Sequence, residues 1–222
     1  MPAPWRLIAL ALFAGSVVAL AADGARVEYV EGDVWLESAG RRVRADFGQP
    51  VAAGDLIITG ADGAAVVTVS QGSQIKLRAN TVVSIDDIAG GGSVDLRSGG
   101  VFARAQRAAS GRSFQVTTPT VVAGVRGTEF FVAYGRSVEA LPDLWLCVNS
   151  GSVEVAVPAT GARTVVNQGE GINILAGVRT TRPRFYPWTL DLNWNFDPTE
   201  GDIRDTTDLS GAYADLLDQD YD

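Results

Sequence analysis

The sequence contains no histidine, a single lysine, Lys76, and a single cysteine, Cys147. Without histidine the commonest general base and zinc ligand are gone, and so is every Ser-His or Cys-His dyad. Schiff-base and Ser-Lys chemistry are left with one candidate. A lone cysteine cannot close an internal disulfide, and in the apolar run DLWLCVNSG it reads as a small buried hydrophobe. There is no G-x-S-x-G, no G-x-x-x-x-G-K-[ST] and no C-x-x-C. The G-x-G of QGEGIN lacks the third glycine and the strand-to-helix setting of a nucleotide loop. This inventory predicts a protein that is not an enzyme, with no catalytic residue, cofactor or metal.

Long apolar runs are equally scarce. One stretch, Leu7 to Leu20, follows Arg6 and ends in Ala19-Leu20-Ala21. It falls short of the ~20 residues of a membrane span and reads as an export signal over residues 1–22, cut after Ala21 or Ala22. The expected product is a soluble periplasmic protein without a transmembrane segment. Export without disulfides points to a bacterial envelope compartment, and no cysteine stands directly after the cleavage site to carry a lipid.

Positive charge is missing from one end. Residues 22–190 carry 16 acidic and 16 basic side chains, whereas residues 191–222 carry ten acidic ones and only Arg204 in opposition. The net charge of −8 therefore belongs to the tail. With no basic patch outweighing the acids, nucleic acid is excluded as a partner.

What the body does contain is short β-type runs punctuated by glycine. VEYVEG, DVWLES, AAVVTVS, QIKLRA, TVVSID, EFFVAYG and VEVAVP are typical. In Gln74-Ile75-Lys76-Leu77-Arg78 the apolar and charged positions alternate, predicting a strand with Lys76 and Arg78 on a solvated face. No stretch sustains a 3.6-residue period over three turns. The fold class is all-β, either a β-solenoid-like stack or a twisted two-sheet sandwich of about 12–14 short strands, followed by an irregular acidic C-terminal extension. DIAGGGSVDL reads as an exposed loop tip. The expected organisation is a signal peptide at 1–22, a β domain at 23–177, and a linker with the acidic extension at 178–222.

With the strands in place, an ordered set of motifs stands out. Gly54-Asp55-Leu56-Ile57-Ile58-Thr59-Gly60 precedes Gly72-Ser73-Gln74-Ile75-Lys76-Leu77. Leu96-Arg97-Ser98-Gly99-Gly100-Val101 follows, then Phe114-Gln115-Val116-Thr117-Thr118-Pro119 and Val125-Arg126-Gly127-Thr128-Glu129-Phe130. A G-x-V-x-V strand at Gly151–Val155 and a glycine turn at 169–171 complete it. Over roughly residues 26–176 this set resembles the FecR domain. The resemblance implies a periplasmic sensing or recognition domain without catalytic activity, here of the stand-alone exported kind, with an envelope protein as partner. The alternative is a structural module that organises an envelope or surface complex.

Arg126, Gly127, Thr128 and Glu129 are the family signature and a candidate partner contact. Their chemistry reads first as a polar staple. Gly127 permits a turn that a Cβ would penalise, the Arg126 fork can tie carbonyls or Glu129, and Thr128 can bond locally to backbone. Phe130 and Val132 then share one face and Phe131 takes the other. In the tail, Leu190, Leu192, Trp194 and Phe196 alternate with Asp and Asn. This predicts a strand that caps an open edge, or a partner-binding strand through Leu192, Trp194 and Phe196. Asp191, Asn193, Asn195, Asp197 and Asp202 also match EF-hand ligand positions, although Phe196 stands where that loop needs glycine. RTTRPRFYPW reads as a linker whose arginines are free to pair with the acidic tail, and Ser210–Leu217 reads either as a short amphipathic helix or, from its acidic composition, as disorder.

Overall fold

The computed structural model describes residues 24–70, 72–107, 113–136 and 142–209, with Trp188 described by its backbone alone. The export signal and the Ser210–Leu217 helix lie outside the described residues. Strands β1 (Ala25–Glu31), β2 (Val34–Ser38), β3 (Arg41–Arg44), β4 (Pro50–Val51), β5 (Leu56–Thr59) and β6 (Ala64–Ser70) come first. β7 (Ser73–Leu77) and β8 (Val82–Asp87) lead to the long β9 (Ser93–Ala105). β10 (Phe114–Thr117), β11 (Val122–Val125), β12 (Thr128–Tyr134) and β13 (Leu144–Ser150) follow. β14 (Ser152–Val157), β15 (Ala162–Asn167), β16 (Gly171–Leu175) and β17 (Arg179–Thr180) close the series, before a 3-10 turn at Pro187–Asp191.

Hydrogen-bonded pairing arranges these strands in two layers. The first sheet runs β4-β1-β6-β7-β9-β12-β13-β16-β17. The second runs β3-β2-β5-β8-β9-β10-β11-β14-β15. All pairs are antiparallel except β9 with β10. Alternate side chains of both layers meet in one core: Val67, Ile75, Phe130 and Leu146 from the first sheet, Leu36, Ile57, Val83 and Val155 from the second. This is the sandwich of the two expected architectures. Among the described residues it has 17 strands, more than the 12–14 expected, because pieces such as Pro50–Val51 and Arg41–Arg44 are too short or too charged to show an apolar period.

β9 belongs to both layers. Its first half pairs with β8 and β10, and from Gly99 onward it pairs with β7 and β12. Gly99 makes the crossing possible. It sits at φ +96, and a Cβ there would lie 2.4 Å from the Thr81 hydroxyl. That hydroxyl instead receives the Gly100 N–H at 3.0 Å, so strand and loop lock together where a side chain would hold them apart. The L-x-x-G-x-V motif is thus the corner at which one strand changes sheets.

Two expectations are corrected here. Gly90, Gly91 and Gly92 are buried, not an exposed tip, because Phe114 packs where a Gly92 Cβ would stand, 2.8 Å away. Lys76 does not face water either; it is 1% exposed. A second apolar layer covers the outer face of the first sheet. Val66, Phe102, Phe131, Trp145 and Cys147 point outward there, and Leu192, Phe196 and Ile203 close over them, with Trp194 partly buried.

Candidate functional site

The segment that covers this face, here called the strap, is not a strand. Residues 193–197 have no ladder partner, so the alternating pattern does not cap an edge. The reason lies in its polar residues. The Asn193 side-chain oxygen accepts the Asn195 N–H at 2.9 Å, Asn195 accepts the Asp197 N–H at 2.9 Å, and Asp197 accepts the Thr199 N–H at 2.8 Å. These local bonds compete with a sheet ladder and win. They also use the oxygens that an EF-hand would turn toward calcium. Among the described residues no group of three or more Asp, Glu or Cys is placed to hold a metal. Leu192 and Phe196 are 4% exposed against the body, so two of the three side chains proposed for a partner strand are engaged within the chain.

The body grips the strap mainly by its backbone. The Lys76 ammonium donates to the carbonyls of Asn193 at 2.5 Å and Asn195 at 2.7 Å. It lies 4.3 Å from the Phe102 ring centre and 5.3 Å from that of Phe196. Arg78 donates to the Thr207 carbonyl at 2.6 Å and pairs with Asp205 at 3.0 Å, where the Asp205 side chain is 1% exposed. Arg104 stacks 4.4 Å from the Phe196 ring centre. Burial pushes the Lys76 pKa down from 10.5 to about 8, against the pull of Asp205 and Glu129 and helped by Arg104 and Arg78. Burial likewise pushes the Cys147 thiol up from 9.0, leaving it an inert packing group. The arginines expected to meet the tail were those of residues 179–184. The backbone of that stretch continues the body, through β17, a bridge from Arg184 to Gly171, and buried Tyr186.

At the corner of residues 126–129, three of the four residues make the expected staple. Gly127 turns at φ +67, and Thr128 donates to the Ser152 carbonyl at 2.9 Å. Glu129 is tied by Asn149 at 2.7 Å and by an arginine, but that arginine is Arg104, at 2.9 Å. Arg126 itself is exposed and has no hydrogen bond or ion pair among the described residues. The ladder explains the exchange: Glu129 stands directly opposite Arg104 in the β9–β12 register, while Arg126 lies on the other side of the Gly127 turn.

Arg126 instead stands at the end of a trough on the outer face of the second sheet. One cross-strand row runs Gln115, Gly124, Glu154, Val165, and its neighbour runs Thr117, Val122, Ala156, Arg163. Gly124 leaves open space where a side chain would stand, and Ala156 adds little height. The resulting hollow is about 700 Å3. Val165 is 54% exposed on its rim, beside an Arg163–Glu154 ion pair. A second exposed arginine, Arg107, packs at Gly127, its Nε 3.6 Å from a Cβ built there. The trough therefore combines a floor of Val122, Gly124 and Ala156 with Arg126 at one end, Arg107 lying beside the adjoining Gly127 turn, a chemistry suited to an extended segment bearing a carboxylate. No sequence period reveals it, since it depends on which strands become neighbours.

Residues 55–157 match the family model described as FecR protein. No curated protein matches the chain. Two crystal structures of a provisional anti-sigma factor from Parabacteroides distasonis are similar in fold. One has a TM-score of 0.52 at 19% identity, over 61% of this chain and 63% of that one. The other has a TM-score of 0.50 at 19% identity, over 60% and 61%. The matched part thus spans less than two thirds of either structure.

Proposed function

Because this chain carries a FecR domain over residues 55–157, we propose that it is a non-enzymatic recognition module of the bacterial envelope, taking part in signalling by binding a protein partner. One observation carries this reading: the two outer faces of the sandwich are treated differently. The first sheet's outer face is closed by the strap. The C-terminal half of the second is left as an open trough ending at Arg126, which has no partner among the described residues. An arginine without a hydrogen bond or ion pair among the described residues adds little to folding, and its guanidinium fork suits a carboxylate brought by another molecule. The partner's matching element is an extended acidic protein segment. The leader pattern at residues 1–22 supports a periplasmic location, and the fold shared with an anti-sigma factor supports a signalling setting.

The test is affinity capture from a periplasmic extract with the wild-type chain and an R107A/R126A variant. Loss of a discrete captured protein by the variant, with an unchanged melting curve, is the expected result. Identical capture by both proteins would remove the trough from the reading.

A further inference from the structure

We propose that the outer face of the first sheet is a second, separate peptide-recognition site, occupied in cis by the strap, whose trans ligand is an extended segment of another protein. That segment would carry two apolar side chains four residues apart and a carboxylate further along.

The strap's contacts define this ligand. Lys76 reads two main-chain carbonyls, those of residues 193 and 195, and Arg78 reads that of residue 207. Carbonyl recognition is indifferent to side chains, so another extended segment satisfies the same donors. Selectivity comes from elsewhere. Leu192 and Phe196 fill the apolar cluster around Phe102, Phe131 and Trp145, which requires large apolar groups at i and i+4. Asp205 places a buried carboxylate on Arg78, which requires an acid. The cations Lys76, Arg78 and Arg104 all lie on this one face, complementary to an acidic segment.

The strap is also built to leave as a unit. Besides its three consecutive side-chain-to-backbone turns, the Asn193 amide donates to the carbonyls of Asp202 at 2.7 Å and Arg204 at 3.0 Å. These bonds stay intact when the strap lifts off. It joins no ladder, so release breaks no sheet pairing. A segment held by side-chain donors and three buried apolar anchors, Leu192, Phe196 and Ile203, and tethered to its own site, is a competitor at high effective concentration.

The test uses the full-length chain and a labelled synthetic peptide of residues 190–208. An L192S/F196S variant loosens the strap in cis. Fluorescence anisotropy is expected to show the peptide binding this variant at least about tenfold more tightly than wild type. A peptide bearing Asp205→Asn is expected to bind the variant at least about fivefold more weakly than the native peptide. Where L192S/F196S loses its cooperative melt, the D205N protein replaces it, since that change removes the charge facing Arg78 and leaves the apolar anchors of the strap in place. Equal binding of the native peptide to wild type and loosened protein overturns the proposal, as does no binding to a variant that melts cooperatively. A concentration-dependent doubling of the wild-type mass, abolished by the same substitutions, would make the occupant a second copy and equally overturn it.

Discussion

Lys76 offers a direct test of the strap's energetics. Lys76→Met keeps an unbranched stem and removes the ammonium. In the folded protein burial lowers the ammonium's pKa from 10.5 to about 8, so between these values the unfolded chain binds more protons. Stability therefore rises with pH across that window, in contrast to a lysine that gains a salt bridge. The full window is worth about 3 kcal/mol at roughly 1.4 kcal/mol per pKa unit, and about 1 kcal/mol of it falls between pH 7.5 and 9. Cys147, Tyr29 and Tyr134 act in the opposite sense. Burial raises all three, so their contribution is lost as pH climbs past their unfolded values, but they are common to both proteins and cancel in the difference. Urea unfolding of wild type and K76M at several pH values from 7.5 to 9, at constant ionic strength, measures it. Wild type is expected to gain about 1 kcal/mol on the variant. Parallel pH profiles would refute the reasoning, because they would mean that the ammonium is as well solvated in the folded protein as in the unfolded one.

Three further outcomes follow from the geometry. Arg126→Ala should leave the melting free energy within about 0.5 kcal/mol of wild type, whereas Arg104→Ala, which strips Glu129 of its ion pair, should cost about 1–2 kcal/mol; chemical denaturation compares the two, and a larger loss at Arg126 would restore it as the staple. Gly99→Ala sets a Cβ 2.4 Å from the Thr81 hydroxyl at φ +96 and should cost more than about 2 kcal/mol, visible as a large drop in the thermal midpoint. Phe131→Ala, at a fully buried ring 4.6 Å from Phe102 and 5.9 Å from Trp145, should cost about 3–5 kcal/mol and speed hydrogen exchange in the strap, which loses part of the surface it sits on.

Much of the sandwich was legible from local pattern. Alternation in residues 128–134 and 152–157 gave their facing correctly, with Phe130 and Val132 in the inter-sheet core and Phe131 outside it. Pattern failed where a second contact layer intervened. Lys76 alternates with Ile75 and Leu77 as a solvated residue should, and nothing near it in sequence says that residues 117 and 119 positions away will cover it. Strands without an apolar period were missed for the same reason. Val122–Val125 is VAGV, and its pairing with β14, not its composition, makes it the floor of the trough. In the tail the alternation was real, but Asn and Asp at every second position satisfied the backbone locally, and a turn ladder replaced the strand. At the signature corner, the staple was correctly placed but assigned to the wrong arginine, since which cation reaches Glu129 is decided by a register between distant strands.

The strap has a consequence for the order in which the protein is made. The strands of the first sheet are complete in the chain by Thr180, whereas Leu192, Phe196 and Ile203 come later. Until those residues follow, a chain that folds as it emerges presents Phe102, Phe131 and Trp145 bare on one face. Such transient apolar surfaces recruit chaperones or neighbouring chains. A stop codon or proteolytic nick just after β17 would make that temporary exposure permanent, turning a small C-terminal loss into a defect of solubility for the whole sandwich.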